Sequence, residues 1–301
     1  MAFVGVFLNV LVPVFALVAL GYVAGPRLGL QTATLSKLTY FIVSPAFVFT
    51  LISSSRVQID LAARMVAYIV AVYIATALIA YVLARLLRKP AAMTAAWVMI
   101  TVFGNVGNFG LPISQFAQGR EALVPATVYF LANLVLAFIV CVSAAKMTVG
   151  GSKLEALIGV AKTPSLVALV PALIVASLDI QVPLPLLRPL ELLQGALIPI
   201  MLIVLGLQLA NAGIPKINAD MLAPVGIRLV GGAAISFALA GAFGLGGLER
   251  NVGILQGSMP GAVLVTLIAM ENKMMPEFIG ASILLSNVLS VFTLAVVLTL
   301  V

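Results

Sequence analysis

The chain of 301 residues is 63% hydrophobic and only 8% charged, with a mean hydropathy of +1.25, a balance that no water-soluble core of this size accommodates. Its formal charge of +7 comes from sixteen Lys and Arg set singly between apolar runs, so they form no basic face for nucleic acid. The apolar runs are continuous and roughly 20 residues long, enough to cross about 30 Å of hydrocarbon as helix; this excludes the alternating strands of a β-barrel and predicts an all-α polytopic membrane protein.

Charged and Pro/Gly clusters divide the chain into ten predicted spans, at 3–24, 34–54, 62–87, 93–117, 122–147, 164–181, 188–211, 221–245, 250–270 and 276–300. The first apolar run begins at residue 2 without a basic leader or a small-residue cleavage site, and is expected to be a retained span. Cys141 is the only cysteine and lies inside span five, where it reads as a small apolar filler and rules out an intrachain disulfide. The longest gap, 148–163, holds Gly150, Gly151, Lys153, Glu155 and Lys162 and reads as a cytoplasmic linker between halves 1–147 and 164–301.

The halves share punctuation. Lys37-Leu38 to Ser44-Pro45 matches Glu191-Leu192 to Ile198-Pro199, and Ala132-Asn133-Leu134-Val135 matches Ser286-Asn287-Val288-Leu289, both at a shift of 154; Pro112 matches Pro260 at a shift of 148. Five spans per half is an odd number, so the second half is expected to run through the bilayer inverted. Ten Lys and Arg flank the loops after odd-numbered spans (27, 37, 85, 88, 89, 146, 153, 162, 216, 273) and five those after even-numbered spans (56, 64, 120, 188, 250). That bias makes the odd side cytoplasmic and both termini extracytoplasmic, for a protein of the cell membrane.

Two spans are not expected to be helical throughout. Phe103-Gly104-Asn105-Val106-Gly107-Asn108-Phe109-Gly110-Leu111-Pro112 puts three glycines, two asparagines and a proline inside span four, and Gln256-Gly257-Ser258-Met259-Pro260-Gly261 interrupts span nine. Broken backbone at membrane depth survives only beside packed protein or a cavity, and paired breaks at corresponding places point to a transporter's substrate site. Half-helix N-termini there offer unpaired N–H groups and partial positive charge, which suit a carboxylate. Asn105, Asn108 and Ser258 would add polar lining beside Val106, Gly107, Pro112, Gly257, Met259, Pro260 and Gly261. Asn133 and Asn287 read either as lining of the site, or of a Na⁺-sized pocket, or as interhelical hydrogen bonds. Tyr40, Tyr129, Trp97, Met99, Met259 and Met270 could meet an apolar substrate moiety. Arg228, about seven residues into span eight, is expected to snorkel to the cytoplasmic interface.

Gly104 to Pro112, together with Ala196-Leu197-Ile198-Pro199-Ile200-Met201-Leu202-Ile203-Val204-Leu205-Gly206-Leu207-Gln208-Leu209-Ala210 and Ser258-Met259-Pro260-Gly261-Ala262-Val263, resembles the auxin efflux carrier family. The family includes bacterial permeases for small organic acids and the plant PIN auxin carriers. The resemblance implies ten helices in two inverted five-helix repeats, with helices four and nine crossing at Pro112 and Pro260. It also implies a scaffold of helices one, two, six and seven, and a mobile domain that carries substrate in elevator fashion, and it leaves open a homodimer through the scaffold. In the PIN carriers an asparagine seven residues before the crossover proline helps hold the substrate carboxylate, and Asn105 stands at that position.

The chain has no His, and its nine Asp and Glu are assigned to span ends, so neither acid–base nor metal-dependent catalysis finds its parts. The expectation is a transporter and not an enzyme, with no cofactor or metal, whose partners are the bilayer and a small carboxylate such as malate, malonate or an auxin-like acid. A sodium-coupled symporter of such anions and an anion channel are the alternatives.

Overall fold

The computed structural model describes residues 5, 7–55, 59–149, 162–212 and 217–301. Gly150, Gly151, Lys153 and Glu155 of the expected linker, and Arg56 and Lys216 of the charge bias, lie outside the described residues. Among the described residues every regular element is helical: α1 (Phe7–Arg27), α2 (Thr32–Ser53), α3 (Ile59–Leu86), α4a (Ala91–Val102), α4b (Leu111–Gln118), α5 (Leu123–Val149), α6 (Pro164–Ser177), α7 (Leu184–Ala212), α8 (Ala219–Ala240), α9a (Gly247–Gly257), α9b (Leu264–Glu271) and α10 (Pro276–Leu300). Six of them, α1, α2, α3, α7, α8 and α10, are long and apolar enough to cross a membrane. Their outer faces are apolar as well, with Leu192 at 78% and Phe292 at 71% exposure. Such faces are stable against lipid and unfavourable in water, as expected of a multi-pass membrane protein.

Local chemistry explains where these helices loosen. Three segments of π-helix, Phe7–Leu11, Thr39–Val43 and Val106–Gly110, each end two residues before a proline, at Pro13, Pro45 and Pro112. Proline has no N–H to donate to the preceding turn and its ring presses on the carbonyl there, so the turn widens. A fourth π segment, Ile227–Gly231, surrounds Arg228 within α8.

The helices pack in two groups. In one, α7 lies along α1 and α2, and α6 packs on α2. The α1–α7 pair approaches backbone to backbone: a Cβ built at Gly21 would land on the Ile203 carbonyl, and one built at Gly206 on the Val18 carbonyl. Small residues at such a seam allow the close packing that holds helices together in lipid. In the other group α3, α4a and α5 pack on one another, α8 joins α3 and α4a, α9a packs on α5 and α8, and α9b on α10. The groups meet where α7 touches the Val106–Gly110 turn and α2 touches α5.

Candidate functional site

The site begins with the two interruptions. Phe103 leaves the helix with extended dihedrals (φ −85°, ψ 95°), and Asn105 follows at φ −78°, ψ 52°. The freed backbone groups of one break are met by the other: Asn105 N–H donates to the Pro260 carbonyl at 2.7 Å and Ala262 N–H donates to the Phe103 carbonyl at 2.8 Å, an antiparallel bridge between Gly104 and Gly261. Neither set of groups could be left bare in hydrocarbon. The chain re-enters helix when the Asn105 carbonyl accepts from Phe109 N–H (3.2 Å) and Gly110 N–H (3.0 Å). α10 supports the second break, since Ser286 Oγ accepts from Gly261 N–H at 3.0 Å and Asn287 Nδ2 donates to the Gly261 carbonyl at 2.9 Å. A further link runs between α4b and α9a, where the Gln256 amide occupies the space a side chain at Gly110 would take and donates to Ser114 Oγ at 3.3 Å.

Arg228 does not snorkel. It is 1% exposed, and its guanidinium lies under both breaks, donating through Nε to the Met259 carbonyl (2.7 Å), through Nη2 to the Gly257 carbonyl (2.7 Å) and through Nη1 to the carbonyls of Thr101 (2.9 Å) and Val102 (3.4 Å). These acceptors stand at the C-terminal ends of α4a and α9a. Each helix end carries about half a negative charge, so two together offset roughly one positive charge. A buried cation is thereby accommodated by backbone, and its planar fork reaches two helices at once. The fit is close, for a Cβ at Gly104 would stand 3.1 Å from Nη2.

With the negative helix ends occupied by Arg228, the positive ends border open space. A cavity of about 580 Å³ is lined by Gly104, Asn105, Gly107 and Asn108 at the start of the returning half of span four, and by Ala262, Val263 and Leu264 at that of span nine. Its other walls come from α2 (Lys37, Tyr40, Phe41 and Ser44 among them), α5 (Phe130, Asn133, Leu134), Ser165 of α6, and Met201, Val204 and Gln208 of α7. The amides of Asn105, Asn108 and Asn133 therefore face a largely apolar chamber beside two helix N-termini, an arrangement able to orient an anion. A second cavity of about 820 Å³ lies between α7, α8, α9b and α10; it shares Gln208 and Val263 with the first and holds Asn287 and Glu277. Asn105 Nδ2 and Asn287 Oδ1, 3.4 Å apart, meet where the two cavities adjoin.

The remaining residues expected at the site divide by position. Asn133 accepts a hydrogen bond from Tyr73 Oη, so it both lines the cavity and joins α5 to α3. Ser258 turns its hydroxyl back to the Ile254 carbonyl at 2.7 Å and is fully buried, away from either cavity. Gly257, Met259, Pro260 and Gly261 act through backbone carbonyls or N–H groups within the paired breaks. Val106 and Pro112 are packed inside, and Tyr129 is buried against the Tyr73 ring, 6.4 Å between centroids. Lys37 and Gln208, named above for topology, repeat and family resemblance and not as lining, are on the cavity wall, and Tyr73 is the partner of Asn133. Lys37 sits within predicted span two instead of in a loop, which was the available signal. Among the described residues no cluster of three or more His, Cys, Asp or Glu is placed to hold a metal.

Comparison with known proteins gives the same outline. The chain is 27% identical over 308 residues to a Rhizobium meliloti (strain 1021) protein named "Putative malonate transporter", covering 97% of this chain and 95% of that one. It is 22% identical over 300 residues to an uncharacterized transporter of Methanocaldococcus jannaschii, covering 96% of each. The model of the family described as "Membrane transport protein" matches residues 6–146 and 148–298. The chain belongs to this family of membrane transporters, the auxin efflux carriers.

Proposed function

We propose that this protein is a secondary transporter of small organic anions, carboxylates such as malonate, malate or auxin-like acids, and that it works by elevator-type alternating access. The observation that carries this reading is the pairing of the two breaks across Gly104 and Gly261 beside a cavity lined by Asn105, Asn108 and Asn133. An anion there meets helix N-termini and amide donors in place of water, which is what binding at membrane depth requires. The relative named for malonate, similar over nearly its whole length, agrees with a carboxylate.

In this reading the chain forms ten spans in two inverted repeats, 1–147 and 164–301, joined by a cytoplasmic linker at 148–163, with both termini outside the cell membrane. The group of α1, α2, α6 and α7 is the scaffold, and is the surface through which a homodimer would form. The other group travels with the substrate, and Arg228 with the Gly104–Gly261 bridge makes α4a, α4b, α9a and α9b move as one body. Asn105, Asn108 and Asn133 hold the carboxylate, while Asn287, Gly261 and Pro260 keep the break in shape. Counterflow uptake by proteoliposomes, run against a panel of malonate, malate, citrate and indole-3-acetate, tests this. Saturable exchange of at least one acid is expected; no exchange with any carboxylate, or large unitary currents in its place, would overturn the proposal.

A further inference from the structure

Among the described residues the first cavity has one formally charged side chain on its wall, Lys37, and no carboxylate. Lys37 is the sixth residue of α2, so it belongs to the helix and not to the preceding loop. With Tyr40, Phe41 and Ser44 it occupies positions i, i+3, i+4 and i+7, one face of a helix, and all four line the cavity. The second cavity carries the opposite sign, its one charged lining residue among those described being Glu277. The two chambers are thus sorted by charge, and an anion is favoured in the first.

We propose that Lys37 makes the first cavity selective for doubly charged carboxylates. This rests on the transport reading above and goes beyond it by naming the charge of the substrate. One carboxylate of a short dicarboxylate lies against Asn105 and the N–H groups that open the returning helix. The far carboxylate has the Lys37 ammonium available to it, and Phe103, Phe130 and Met201 of the same cavity offer apolar surface to the carbon between the two carboxylates. A monocarboxylate uses the Asn105 end alone and gains little from Lys37.

The test compares malonate with propionate, which has the same three carbons and one carboxylate fewer, as competitors of uptake by the full chain in proteoliposomes. Lys37→Gln is expected to raise the apparent Kd for malonate roughly three- to tenfold, the effect of losing a charge-assisted contact discounted for the exposure of Lys37. The propionate value should stay as in wild type, Lys37→Arg should restore the malonate preference, and Glu277→Gln should leave both acids unchanged. A malonate-to-propionate ratio unaltered in Lys37→Gln, or equal weakening of both acids, overturns the role of Lys37 while leaving the transport reading intact. A wild-type protein that takes neither acid nor any other carboxylate brings down the transport reading, and this inference with it.

Discussion

Replacing Arg228 by Met keeps the bulk of the side chain and removes its donors. Three close hydrogen bonds disappear, to Met259 and Gly257 at 2.7 Å and to Thr101 at 2.9 Å. Each leaves a buried carbonyl without its side-chain donor, worth about 1–3 kcal/mol, so the gross loss is about 3–9 kcal/mol. Against this stands the desolvation penalty that a buried guanidinium carries and methionine does not, several kcal/mol. With mid-range values, about 6 kcal/mol lost against about 3 kcal/mol relieved, the expected net destabilisation is about 3 kcal/mol, with the damage centred where the two breaks meet. Arg228→Lys should recover only part of it, because one ammonium cannot fork to two helix ends. Thermal unfolding of both variants in one detergent, read with substrate uptake, measures this. An Arg228→Met protein that melts with wild type and transports normally would refute the idea that the guanidinium neutralises the C-termini of α4a and α9a.

Asn105→Ala should weaken carboxylate binding by roughly ten- to a hundredfold, the loss of one donor to a charged acceptor, while the backbone bond from residue 105 to Pro260 preserves the fold; unchanged affinity in a folded variant removes Asn105 from the site. Tyr73 is outside the first cavity, but Tyr73→Phe deletes the donor that fixes the cavity-lining Asn133, and is expected to lower both the melting temperature and carboxylate affinity; a less stable variant with unchanged affinity removes Asn133 from the site. Reporter fusions should place both termini outside the cell, and a cytoplasmic C-terminus would contradict the inverted repeat. Among the described residues the first cavity carries no carboxylate to relay protons, so uptake should follow membrane potential. Concentrative uptake at zero potential that tracks a pH gradient would contradict this, and a strict sodium requirement would redirect attention to Asn133 and Asn287.

The interruptions were legible in the sequence because their cause is local: glycine, asparagine and proline weaken helix wherever they gather, and Gly104 to Pro112 gathers six of them. What each break binds was not legible. Arg228 was expected at the interface because its partner carbonyls lie on α4a, more than 120 residues earlier, and near Gly257 and Met259, about 30 residues later. Lys37 was counted as a topology signal, since a charge bias adds up residues without regard to the helix face they occupy. Ser258 looked like polar lining from composition alone, yet a hydroxyl four residues after Ile254 can satisfy itself on its own helix, and does so. Asn133 accepts a hydrogen bond from Tyr73 of α3 and lies on the wall of the first cavity, two placements that its position in an apolar span could not separate.

The two hydrogen bonds between residues 103–105 and 260–262 also constrain how the protein is assembled. The first break is synthesised more than 150 residues before its complement, and until then the Asn105 N–H and the Phe103 carbonyl have no backbone partner in their own half. A half-finished chain therefore cannot leave the break between α4a and α4b bare in dry lipid; that segment has to remain hydrated or sheltered until the break between α9a and α9b arrives. Insertion of this protein is then a concerted event for the two interrupted segments, late in synthesis, and not a succession of independent helices.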